Sequence, residues 1–185
     1  TYIYNNVNVS SVLTGVLPSL LTYLVIEGNN LFTGTLPVGL TYCRCLGNNI
    51  FTGTLPVGLT YLVIDGNNIF TGTLPVGLTY CYINGNSNFF TGTLPVGLTY
   101  CYVFGNSNSF TGTLPVGITS YINIYGNNSF TGNLPNLAQY IFITGISSNF
   151  TGTIPTSCQY FNISGTITKP ANLTANTALC YFVAP

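Results

Sequence analysis

The stretch Phe51-Thr-Gly-Thr-Leu-Pro56-Val-Gly-Leu59-Thr-Tyr61-Leu62-Val-Ile64-Asp-Gly66-Asn67 decides the fold, because most of it returns nearly verbatim on either side. Proline marks the copies at Pro18, Pro37, Pro56, Pro75, Pro95, Pro115, Pro135 and Pro155, spaced by 19, 19, 19, 20, 20, 20 and 20 residues. Ten residues after a proline stands a glycine: Gly28, Gly47, Gly66, Gly85, Gly105, Gly145 and Gly165. Gly126 comes eleven after Pro115, consistent with an inserted Ser120. Eight copies of one short unit are present, with irregular ends. A fixed period of this length is the signature of a solenoid.

Each unit holds one stretch of period-two alternation, such as Leu24-Val25-Ile26 or Cys101-Tyr102-Val103, which reads as a strand of three to five residues. No longer segment carries a helical period. A unit this short cannot bury its own apolar side chains, so the units stack and share one core beneath a parallel sheet. At ~4.8 Å between strands, eight coils make a rod of roughly 35–40 Å. The expected fold class is a β-rich solenoid of about eight repeats with little or no helix. Residues 1–17 read as an N-terminal cap or partial repeat, with Tyr2-Ile3-Tyr4 as a first strand. Residues 18–165 read as the solenoid and 166–185 as a C-terminal cap, with Leu179–Val183 as a covering strand.

Only four of the 185 residues are charged, Glu27, Arg44, Asp65 and Lys169, and there is no His, Trp or Met. Two cations at zero net charge cannot neutralise a phosphate backbone, so nucleic acid is excluded as a partner. His-based acid/base chemistry and His-ligated metal are excluded outright. With 14 Tyr and 12 Phe the chain is too aromatic to be disordered. No apolar run approaches the ~20 residues of a membrane-spanning helix. A chain that begins at Thr1 and lacks Met reads as a processed product or a fragment. Sequons at Asn8, Asn127, Asn149, Asn162 and Asn172, with six cysteines, lean toward an extracellular or virion-surface setting.

The segments Leu21-Thr-Tyr-Leu24-Val-Ile26-Glu-Gly-Asn29 and Leu59-Thr-Tyr-Leu62-Val-Ile64-Asp-Gly-Asn67 resemble the L-x-x-L-x-L-x-x-N core of the leucine-rich repeat family. Phe32-Thr-Gly-Thr-Leu-Pro37 is similar to its plant-type L-x-G-x-I-P signature, whereas the spacing Leu36-Pro37-Val-Gly-Leu40 looks more like the short bacterial class. The resemblance covers about Leu13 to Gly165. It implies a parallel sheet on a concave face and a general binding scaffold, with no particular ligand. In that geometry Leu24, Cys43, Leu62, Cys81, Cys101, Ile122, Ile141 and Phe161 point inward at one level, with Ile26 through Ile163 two residues on. Phe32, Phe51, Phe70, Phe90, Phe110, Phe130 and Phe150 form a spine opposite. Asn29, Asn48, Asn67, Asn86, Asn106 and Asn127 resemble the family's asparagine ladder.

Outward positions of the same strands carry the candidate binding residues. A tyrosine column, Tyr23, Tyr42, Tyr61, Tyr80, Tyr100, Tyr121, Tyr140 and Tyr160, reads first as sheet-stabilising neighbour packing. The irregular aromatics Tyr82, Tyr102, Phe104, Tyr125 and Phe142, with Tyr80, Tyr100 and Arg44 beside them, read as a partner surface for a protein or glycan. Arg44 lies one strand from both Glu27 and Asp65, which reads as mutual neutralisation. Two acids held apart by a cation, with no proton-poised partner, make no general acid/base site, so no catalytic residue and no cofactor is expected.

A second array flanks the repeated glycines: Thr33/Thr35, Thr52/Thr54, Thr71/Thr73, Thr91/Thr93 and Thr111/Thr113. If those glycines point inward, both threonines face outward in two rows, which resemble the threonine rows of ice-binding proteins. Plain repeat copying with β-branched strand propensity explains them equally. Among the cysteines, Cys158 and Cys180 are the candidate disulfide, Cys81 and Cys101 either bridge or pack, and Cys43-x-Cys45 is no metal site by itself. The first expectation is a non-enzymatic extracellular or virion-surface recognition or adhesion solenoid whose concave aromatic face holds a glycan or protein. The alternatives are a self-assembling fibre or coat protein, contacting copies of itself, and an ice-binding protein.

Overall fold

Three sequence features shape each coil. The apolar-alternating stretch after Tyr forms one strand, Pro-x-Gly-Leu turns the chain, and x-Phe-Thr-Gly forms a second, shorter strand. The computed structural model describes residues 2–6, 14–27, 31–47, 50–66, 69–85, 88–105, 107–151, 154–167 and 179–183. In chain order the strands are β1 (Tyr2–Asn6), β2 (Thr14–Gly15), β3 (Tyr23–Glu27), β4 (Leu31–Gly34), β5 (Tyr42–Leu46), β6 (Ile50–Gly53), β7 (Tyr61–Asp65) and β8 (Ile69–Gly72). They continue with β9 (Tyr80–Asn84), β10 (Phe89–Gly92), β11 (Tyr100–Phe104), β12 (Ser109–Thr113), β13 (Tyr121–Asn133), β14 (Tyr140–Thr151), β15 (Tyr160–Ile167) and β16 (Leu179–Val183).

The strands β1, β3, β5, β7, β9, β11, β13, β14, β15 and β16 pair in that order, all parallel, with like positions opposite: Tyr42 meets Tyr61 and Cys81 meets Cys101. The short strands from β2 to β12 form a second parallel row, which merges with the first at the long β13. The described residues contain no helix, and the solenoid class expected from the period is what the chain adopts. Among the described residues the long row has ten rungs, eight from the repeats and one from each end segment. Tyr2 lies opposite Tyr23, and Tyr160 opposite Leu179. Leu179–Val183, expected as a covering strand, continues the ladder in register beyond β15.

The inward columns fill one continuous core. Leu24, Cys43, Leu62, Cys81, Cys101, Ile122 and Ile141 are fully buried, as are the phenylalanines Phe51 to Phe130. Successive phenylalanine rings from Phe51 to Phe110 lie 6.5 Å apart; the side chain of Phe32 lies outside the described set. Two further columns, Leu21 to Leu98 and Leu36 to Leu134, close the corners on either side of proline. Each such side chain contributes about 1.5–3 kcal/mol by leaving water. The turns are closed by hydrogen bonds such as Leu40 N–H to Pro37 O (3.1 Å) and Leu59 N–H to Pro56 O (3.1 Å). Proline's lack of an N–H costs nothing there.

Three local features correct the expectations or add to them. The glycines of Thr-Gly-Thr do not point inward: Gly53, Gly72 and Gly92 have φ of 87°, 93° and 84°. That left-handed backbone breaks the alternation, and a Cβ at Gly92 would stand 2.9 Å from the Thr73 methyl of the preceding coil. A row of buried asparagines stands one or two residues after the expected ladder positions. Asn29, Asn48, Asn67, Asn86 and Asn106 lie outside the described residues and Asn127 is exposed, whereas Asn88, Asn108 and Asn128 are fully buried. Their Oδ1 atoms accept the N–H of Phe70, Phe90 and Phe110 at 3.1, 3.1 and 3.0 Å. Finally, Cys43 and Cys45 partner each other, with sulfurs 3.4 Å apart.

Candidate functional site

Strand alternation sends every second residue of the long row to the concave face. There the tyrosine column stacks almost ring on ring: Tyr23 on Tyr42 at 4.3 Å, Tyr42 on Tyr61 at 4.4 Å, Tyr61 on Tyr80 at 4.6 Å and Tyr80 on Tyr100 at 4.5 Å. The rung spacing imposes this near-parallel stacking. Desolvation, with neighbouring phenols added, pushes the hydroxyls of Tyr42 and Tyr100 up to about 12. The stack loosens to 5.4 Å at Tyr100–Tyr121 and to 6.1 Å, tilted 43°, at Tyr121–Tyr140.

Beside it lies the irregular set. Tyr82 stacks on Tyr102 at 4.7 Å, Phe104 meets Tyr125 edge-on at 4.8 Å, and Tyr125 meets Phe142 at 5.0 Å. All five are half-buried, and burial raises the phenols of Tyr82, Tyr102 and Tyr125. The structure therefore brings together the aromatic candidates, with Tyr80 and Tyr100 alongside. It does not bring Arg44 to them. Arg44 sits two rungs from Tyr82 and its Nε donates to Glu27 Oε1 at 2.9 Å, an ion pair about one-third exposed. Asp65 accepts from Asn84 Nδ2 at 3.1 Å.

Two concave residues lie outside the binding set read from the sequence. Asn123 and Asn162 stand on either side of Phe142, in register with it. Asn123 is 9% exposed, although strand alternation places it outward. Its signal in the sequence is an Asn in a column otherwise held by Val, Arg, Tyr and Phe.

On the flank, the threonines Thr33, Thr35, Thr54, Thr71, Thr73, Thr93, Thr111 and Thr113 are exposed, with Thr52 and Thr91 half-buried. A row of valines runs parallel to them, and Val38, Val57, Val76, Val96 and Val116 are 82–85% exposed. Between adjacent coils these ridges leave shallow grooves, one of about 260 Å³ between Thr35 and Val57 and one of about 230 Å³ between Thr73 and Val96.

Among the remaining candidates, Asn127 is exposed, and Asn162 is half-buried with its amide on Tyr160. Asn8 and Asn172, and the side chain of Asn149, lie outside the described residues. Cys158 Sγ donates to Tyr160 O at 3.2 Å, and Cys180, whose side chain is outside the described set, sits opposite Phe161. No disulfide joins the described cysteines, and no cluster of three metal-ligating side chains forms among the described residues. No helix among them is long and apolar enough to cross a membrane.

No protein-family model matches the sequence, and no curated protein sequence matches it. Solved structures share its fold. The plant peptide hormone receptor RGFR1 in complex with RGF2 aligns at a TM-score of 0.53 and 20% identity, over 85% of this chain and 35% of that one. The PEPR1–AtPEP1 structure aligns at 0.52 and 20% identity, over 94% and 31%. The leucine-rich-repeat ectodomain of the Arabidopsis receptor kinase HAESA, with an extended IDA peptide hormone, aligns at 0.50 and 22%, over 84% and 36%. The likeness is one of fold, and the chain spans about a third of the length of each.

Proposed function

We propose that the chain is a non-enzymatic, extracellular recognition or adhesion solenoid that binds a protein or glycan through its concave face. One observation carries the reading: beside the repeated tyrosine column, the outward residues of this face diverge from copy to copy, while the flank is copied nearly verbatim. Where they diverge most, Tyr82, Tyr102, Phe104, Tyr125 and Phe142 form a half-exposed, uncharged aromatic patch, the composition enriched at interface centres. The receptor ectodomains of similar fold hold peptides, which supports a ligand-binding use of the scaffold and the extracellular setting; nothing speaks for a virion surface. The test is a screen of neutral oligosaccharides and peptides against the intact protein and a Tyr82→Ser/Tyr102→Ser/Phe104→Ser variant. Binding lost in the variant, with melting behaviour preserved, supports the reading; a ligand held equally by both sinks it.

The flank supports a second reading. Its parallel rows of exposed threonine and valine, regular at the rung spacing and free of charge, suit a partner that is itself regular, either ice or further copies of the chain. Thermal hysteresis, and filaments by negative-stain microscopy, test these two in turn; neither effect at high concentration removes both.

A further inference from the structure

Asn123, Phe142 and Asn162 lie opposite one another on β13, β14 and β15. Each asparagine turns its Nδ2 to the tyrosine hydroxyl two residues earlier, Asn123 to Tyr121 at 2.9 Å and Asn162 to Tyr160 at 3.4 Å. In both, Oδ1 is buried and accepts no hydrogen bond from the described residues. A buried acceptor left in that state costs about 1–3 kcal/mol. The fold does not require it. Val25 and Val63 fill the same column, 5% and 7% exposed, and valine suits a strand better than asparagine. Two matching departures on either side of one aromatic ring point to a ligand.

Their spacing selects its class. Two rungs separate the asparagines, ~9.6 Å at ~4.8 Å per rung. A β-extended peptide presents its N–H groups to one side every second residue, ~6.7 or ~13.4 Å apart, and misses that distance. A polyproline II helix turns once in three residues at ~3.1 Å each, so like groups recur on one side every ~9.3 Å. It has no internal hydrogen bonds, which leaves its N–H groups free, and aromatic-lined surfaces read such helices.

Building on the concave-face reading above, we propose that Asn123, Phe142 and Asn162 form a binding site for a polyproline II peptide of x-Pro-Pro repeat. N–H groups three residues apart donate to the two Oδ1 atoms, and the prolines between them lie on Phe142. Both oxygens are covered in the free protein, so binding includes their uncovering. Tyr102, one rung before Asn123, extends the platform.

Fluorescence anisotropy tests this with a labelled five-unit Ala-Pro-Pro peptide, a labelled Ala-Ser-Gly peptide of equal length and labelled neutral oligosaccharides. The proteins compared are the wild type, Asn123→Val/Asn162→Val and the aromatic triple-serine variant. The wild type should bind the proline peptide alone. The valine pair should weaken it about tenfold or more, as two neutral hydrogen bonds are lost, while the melting midpoint holds or rises. No binding of the proline peptide at millimolar concentration, or binding unchanged in the valine pair, overturns the proposal. Oligosaccharide binding alone, lost in the triple-serine variant, overturns the polyproline assignment and leaves the concave-face reading intact. Oligosaccharide binding that survives the triple change overturns both.

Discussion

The concave face and the flank are built from the same coils, yet they differ in what repeats. On the flank, Thr73 over Gly92 and Thr93 over Gly112 are one contact made again, with the methyl 2.9 Å from the position a Cβ would take. On the concave face, adjacent rungs offer Val63, Tyr82, Tyr102, Asn123 and Phe142 in turn. Repetition is strict where a coil seats on its neighbour and along the exposed threonine and valine rows of the flank, and it is relaxed in the column from Val25 to Asn162 on the concave face. Stability should therefore reside in the repeated positions and ligand chemistry in the unrepeated ones.

That division can be broken most forcefully at the spine. Phe90→Ala removes a fully buried ring and should lower stability by about 3–5 kcal/mol, read as a shift of the urea midpoint. A comparable loss from Tyr82→Ser/Tyr102→Ser/Phe104→Ser would erase the distinction. Next comes Asn108→Ala, which leaves the Phe90 N–H without its acceptor and should cost about 1–3 kcal/mol by the same measurement. Gly92→Ala should cost about 1–2 kcal/mol for its left-handed backbone, plus the approach of the Thr73 methyl. A Thr73→Ser partner change should restore only the second part, so a double-mutant cycle separates strain from contact.

The tyrosine stack sharpens the comparison through pH. Tyr42 and Tyr100 hold their protons up to about 12, against 10 in the unfolded chain. A raised folded value means that the unfolded state loses these protons first as the solution becomes alkaline. The contribution is complete below pH 10 and is lost as pH rises toward 12. Ultraviolet titration should show late-ionising phenols, Tyr42 and Tyr100 among them, and denaturant midpoints should fall across that window. Phenols that all titrate near 10 would count against the stacked column. The smallest effect is expected at Glu27→Gln, because an exposed ion pair contributes about 0–1 kcal/mol and salt screens it. Its urea midpoint should barely move, and should move less in high salt.

The period revealed the parallel solenoid, and the period together with the leucine-rich-repeat resemblance revealed the inward columns and the phenylalanine spine, because each depends on which positions recur. What it concealed depends on backbone sign, alignment or reach. Alternation through Thr-Gly-Thr looks flat on paper, since glycine gives no hint of which sign of φ it adopts. The family motif points to the asparagine just after the repeat glycine, whereas the buried Asn88, Asn108 and Asn128 stand two residues before a phenylalanine and receive the N–H of the phenylalanine one coil earlier. Arg44 stood equally near two acids by position, and the side chain chose Glu27. Asn123 was assigned outward by alternation, and the extent of its burial follows from its surroundings on the sheet, which no period encodes.

The hydroxyls of Thr41, Thr60, Thr79 and Thr99 each donate to the backbone oxygen of the threonine one coil earlier, at 3.0–3.1 Å. Every link of that chain reaches back only 19 or 20 residues and no farther. A molecule connected this way folds like a zip, each new coil docking on the one before, and its loop-closure entropy does not grow with length. Length is then a free parameter. Excision of the nineteen residues 42–60 should rejoin like to like, shorten the rod by one rung of ~4.8 Å, and leave the surviving coils as they were.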